Sequence, residues 1–132
     1  MELDFHLKGE GFRGELSYGE IDISGQDEHG FRPGQLMVSS IAVCSASVLN
    51  KVLQKKRLDV QGLNVNAKVE RNPAEANRIE KIHLHYVLKG TDLVEDTVQK
   101  GVDLARKNCP MVQSVKGSID ITESFEIIHL SM

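Results

Sequence analysis

Cys44 and Cys109 are the two cysteines of the chain, and an ionised thiol is the most nucleophilic group its side chains can offer. They lie too far apart in sequence to form a local Cys-x-x-Cys redox motif, so joint chemistry requires the fold to bring them together. Each also has a plainer reading. Cys44 falls in an apolar stretch, where a free cysteine commonly packs as a small hydrophobe. Cys109 precedes Pro110 at a helix start, where the dipole and free N–H groups stabilise a thiolate; alternatively it merely ends a turn. Arg13 and Arg32 precede the apolar stretch and could serve a thiolate, against the ordinary reading of solvated surface charges. His83 and His85 share a strand face with Lys81 and Lys89, which favours solvent exposure over part of a metal site. Asp27, Glu28 and His29 have no defined ligand spacing. No Gly-rich phosphate loop is present, and neither a cofactor nor a metal is expected.

The elements that must position these residues follow from periodicity. Leu3, Phe5, Leu7, Phe12, Leu16, Ile21 and Ile23, punctuated by glycines, predict two or three short strands over residues 2–23, followed by a polar loop from Ser24 to Phe31. Pro33 suits a first helical turn, and no Gly or Pro interrupts Gln35 to about Lys55. Leu36, Met37, Val38, Ile41, Ala42, Val43, Ala46 and Val48 place apolar or small residues all round this helix, which predicts a path through the interior. Leu63, Val65, Ala67 and Val69 alternate with polar residues, as do Ile82, Leu84, Tyr86 and Leu88, predicting two half-buried antiparallel strands. A second, amphipathic helix is expected from a Thr91 or Asp92 cap to Arg106 and Lys107. A short third helix then follows Pro110 and stops at Gly117. Ile119, Ile121, Glu123, Phe125 and Ile127 line one mostly apolar face of a final strand. The expected order is β-β-(β)-α-β-β-α-α-β, an α+β fold forming a single domain over residues 1–132.

Composition narrows the function classes. Hydrophobic residues make up 40% and charged residues 27%, enough apolar surface to support a core. With a net charge of -3 and no long basic cluster, nucleic acid has no electrostatic footprint to bind. The N-terminus lacks the basic and apolar regions of a signal peptide. The stretch Leu36 to Leu49, interrupted by serines, falls short of the roughly 20 residues that span a bilayer. A cytoplasmic protein with no membrane partner and reduced thiols is expected.

The segment from Pro33 to Cys44 with its long following helix, and the segment from Asn108-Cys109-Pro110 to Ile121 with Gly117-Ser118-Ile119 leading into the last strand, resemble the two cysteine motifs of the OsmC/Ohr family. The resemblance spans essentially the whole chain. It implies an intertwined homodimer, with antiparallel sheets around long buried central helices and active sites at the subunit interface. It also implies thiol-dependent peroxidase activity on organic hydroperoxides. Cys44 resembles the peroxidatic cysteine and Cys109 the resolving one, with an external dithiol as reductant, a lipoyl type being one candidate. Arg13 is the preferred match to an arginine that assists the thiolate in the family. That arginine is held by a glutamate soon after the motif proline, whereas Gly34 and Gln35 follow Pro33 here. This departure motivates an alternative, a catalytically altered relative acting as a dimeric small-molecule or lipid binding module. A third reading makes both cysteines core residues of a structural domain.

Overall fold

The N-terminal alternation resolves into three short strands, β1 (Phe5–Lys8), β2 (Gly11–Glu15) and β3 (Glu20–Ile23), in a computed structural model that describes residues 1–131. They form an antiparallel sheet in the order β1-β2-β3. Gly9, at φ +57°, supplies the left-handed backbone of the tight β1–β2 hairpin. Helix α1 (Pro33–Lys55) follows the polar loop, with Pro33 at its start as expected. The chain divides into two compact units, Met1–Ser39 and Ser40–Met132, and the boundary falls within α1.

The second unit contains most of α1, then β4 (Asp59–Asn72), β5 (Arg78–Thr91), α2 (Glu95–Asn108), α3 (Pro110–Ser114) and β6 (Asp120–His129). The expected antiparallel pairing holds for β4 with β5. β6 instead runs parallel to β5, from Lys81 opposite Asp120 to Gly90 opposite His129. Helices α2 and α3 intervene between these strands, giving the chain the crossover length that a parallel pair requires and a hairpin cannot supply. Helix α2 starts later than expected. Asp92 has φ +56°, a left-handed conformation unlike the extended one of an N-cap, and Val94 takes that position without a side-chain bond.

The core lies between the β4-β5-β6 sheet and the helices. From α1 it takes Ile41, Ala42, Ser45, Leu49 and Leu53, a stripe at helical spacing. Ile82, Leu84, Tyr86 and Leu88 of β5 are fully buried, and α2 contributes Val98, Gly101, Val102 and Ala105. Each large apolar side chain enclosed in this way contributes about 1.5–3 kcal/mol. Gly101 marks close helix packing, since an added Cβ would stand 3.0 Å from Leu53 Cδ2. Within the chain α1 is not covered on all sides: Met37 and Val43 remain exposed. By length and composition alone α1 could cross a membrane, exceeding the shorter stretch read from sequence. Its buried stripe from Ile41 to Leu53 packs into the core of the second unit.

Candidate functional site

Cys44 projects from the middle of α1, and Cys109 occupies the N-cap of α3, where α2 ends. The fold brings them together, close enough for the Cys44 side chain to act on the ionisation of Cys109. Their surroundings differ sharply. Cys44 is partly accessible, whereas Cys109 is fully enclosed. Burial pushes the Cys109 thiol upward in pKa, and the neighbouring Cys44 adds to the rise. Hydrogen bonding from the backbone amides of Val112 and Met111 works the other way, because those donors stabilise a thiolate. The helix-start setting expected for Cys109 is therefore present, but enclosure outweighs it.

A polar chain beside the thiols was not singled out by sequence. Ser45 Oγ, fully buried next to Cys44 in sequence, lies 2.6 Å from the Tyr86 hydroxyl. The hydroxyl in turn donates to Glu123 Oε2 at 3.0 Å. Arg106, in the last turn of α2, approaches Glu123 Oε1 at 3.5 Å; the carboxylate side chain is 7% exposed and the arginine 45%. Burial raises the Glu123 pKa, opposed by its bonds to Tyr86 and Arg106. Burial likewise raises the Tyr86 phenol, which responds to charge on Cys109. The signal for this chain was present as Ser45, Tyr86 and Glu123 standing alone within otherwise apolar stripes, but no sequence spacing revealed that they meet.

Arg13 lies on β2 in the N-terminal unit, directly opposite Asp22 of β3. Its Nε donates to Asp22 Oδ1 at 2.7 Å and a terminal nitrogen donates to Oδ2 at 3.0 Å, while Glu20 Oε2 stands 3.7 Å away. This is a bidentate clamp of the kind that fixes a guanidinium plane. The Asp22 bond raises the Arg13 pKa, and Arg13 lowers that of Asp22. No carboxylate follows Pro33 directly, and the carboxylate that holds Arg13 is that of Asp22 on the adjacent strand. Arg32 has a looser pairing, 3.7 Å from Asp27, and both are exposed.

His83 and His85 are half-buried in a ladder with β6, not free in solvent. His83 Nδ1 meets Thr122 Oγ1 at 2.6 Å and its Nε2 meets Ser124 Oγ at 2.7 Å. His85 Nδ1 shares Ser124 Oγ at 2.7 Å and its Nε2 contacts Glu126 Oε1 at 3.1 Å. Among the described residues no group of three or more His, Cys, Asp or Glu is arranged to hold a metal ion.

A family model described as OsmC-like protein matches residues 25–124. Protein YhfA of Escherichia coli K12 is 31% identical over 97 residues, covering 73% of this chain and 72% of that protein. A hypothetical protein from Aquifex aeolicus has a similar structure with TM-score 0.87 and 26% identity, over 98% of this chain and 97% of its own. An organic hydroperoxide resistance protein from Elizabethkingia anophelis aligns with TM-score 0.75 at 18% identity over 97% of each chain, a likeness of fold.

Proposed function

The chain belongs to the OsmC/Ohr family, and from that premise we propose that it is a thiol-dependent peroxidase acting on organic hydroperoxides through Cys44 and Cys109. The observation that carries this reading is the pairing of an accessible thiol with an enclosed one. The Cys44 thiolate attacks the peroxide O–O bond, the alkoxide leaves and takes a proton to become an alcohol, and Cys44 becomes a sulfenic acid. Cys109 then attacks that sulfur, its proton and the departing hydroxide form water, and a Cys44–Cys109 disulfide results. An external dithiol, lipoyl-type compounds being suitable, returns two electrons and two protons through thiol–disulfide exchange.

The family resemblance supports Arg13, whose guanidinium Asp22 holds, as the proposed arginine that assists the thiolate. The proposed assembly is a homodimer, supported by apolar side chains left uncovered in the single chain: Leu7 is 72% exposed, Phe12 49% and Val43 59%. A reducing cytoplasm suits a thiol pair that must be regenerated.

The test is consumption of t-butyl or cumene hydroperoxide with dithiothreitol or dihydrolipoamide. Wild type is expected to turn over through a Cys44–Cys109 disulfide, Cys44→Ser to be inactive, and Cys109→Ser to form the Cys44 sulfenic acid without that disulfide, leaving its reduction to direct attack by the external dithiol. A wild-type protein inert toward both peroxides with both reductants overturns the reading. The alternative binding module is favoured by an apolar recess of about 400 Å³ in the N-terminal unit, lined by residues including Phe5, Leu7, Phe12, Ile23 and Pro33. A co-purifying apolar ligand with unreactive Cys44 would support that alternative.

A further inference from the structure

The polar chain from Ser45 through Tyr86 and Glu123 to Arg106 joins the elements that carry the two thiols. Ser45 follows Cys44 on α1, whereas Arg106 lies in the last turn before Cys109 on α2. Between them stand Tyr86 of β5 and Glu123 of the adjacent strand β6. An ionised carboxylate only accepts, so Tyr86 must donate to Glu123 and Ser45 must donate to Tyr86. The donors therefore run in one direction from α1 to the carboxylate, and Arg106 approaches its other oxygen from α2. No buried side-chain polar atom among the described residues lacks a partner, so the chain is fully satisfied. A satisfied polar network in a core is directional in a way that apolar packing is not, and it specifies one relative placement of its members.

We propose that Tyr86, Ser45 and Glu123 are positioning residues that hold the Cys44 and Cys109 side chains in register for disulfide formation. The inference rests on the redox-pair reading above. The network contributes to the approach of one sulfur to the other, and so to the effective concentration of the pair. Arg106 closes the network at the protein surface, where its partly exposed guanidinium can be solvated without disrupting the buried bonds. Peroxide attack at Cys44 precedes closure and does not require the same register.

The test equilibrates full-length protein with reduced and oxidised dithiothreitol and measures the fraction carrying the Cys44–Cys109 disulfide by thiol trapping and mass spectrometry. In this exchange two electrons and two protons pass between the protein dithiol and dithiothreitol, so the equilibrium reports effective concentration independently of peroxide turnover. Tyr86→Phe and Ser45→Ala are each expected to lower it by about three- to tenfold, the scale of one or two hydrogen bonds. Leu53→Val, a buried change outside the chain, serves as the control and is expected to leave it within about twofold. Equal shifts in Leu53→Val and Tyr86→Phe, or no shift in Tyr86→Phe and Ser45→Ala, would overturn the positioning role. Should Tyr86→Phe fail to fold, Ser45→Ala decides the outcome. Wild type that forms no disulfide at any poise would overturn the redox-pair reading and this inference together.

Discussion

Replacing Cys109 by serine tests how strongly the protein encloses its second thiol. The sulfur is fully buried, and its pKa is raised from the ordinary value of 9.0, first by burial and then by Cys44, despite the Val112 and Met111 amides. Because the folded value exceeds the unfolded one, the stabilisation associated with the neutral thiol is fully present below about pH 9. It declines as pH rises through the folded pKa. Where the unfolded thiol is ionised and the folded one is not, each further pH unit removes about 1.4 kcal/mol of stability. Serine does not titrate in this range and removes that slope. At neutral pH it exchanges a buried thiol for a more polar hydroxyl, at an expected cost of about 1–3 kcal/mol. Urea denaturation of wild type and Cys109→Ser between pH 7 and about pH 10.5, under excess reductant, measures the difference directly. The stability gap should shrink with pH and can reverse sign. A gap that stays constant or widens above pH 9 would refute the reasoning.

Asp22→Asn removes the bidentate clamp on Arg13 and, on the proposed function, should slow peroxide consumption about tenfold while leaving thermal unfolding nearly unchanged; an unchanged initial rate would remove Asp22 as the arginine's anchor. Gly101→Leu forces a branched side chain against Leu53 and Leu49, so urea denaturation should show a loss of about 1–3 kcal/mol. With neutral imidazoles, His85 donates from Nε2 to Glu126, Ser124 donates to His85 Nδ1, and His83 donates from Nε2 to Ser124. Long-range ¹⁵N–¹H correlation spectra should therefore show the Nε2–H tautomer at both rings, and an Nδ1–H form at His83 would contradict the ladder.

Sequence by itself determined the elements, because periodicity is a local property of the chain. The uninterrupted run after Pro33, the alternation through Tyr86 and the restart at Pro110 each placed an element close to where it lies. The cysteine motifs likewise made the family legible, since it depends on residue types around Cys44 and Cys109. Tertiary structure decided which residues meet. The α1 stripe appeared apolar all round, but only packing selected Ile41, Ser45, Leu49 and Leu53 as its inward face. The parallel pairing of β6 depended on a crossover whose direction local patterning does not encode. Long-range approach also joined Ser45 to Tyr86 and Tyr86 to Glu123. Alternation could mark Glu123 as an acid on an apolar face, but only the fold supplied the donors that make its burial tolerable. The same holds for Arg13: its charge was evident from the chain, whereas its clamp required β2 and β3 to pair in a register that sets it opposite Asp22.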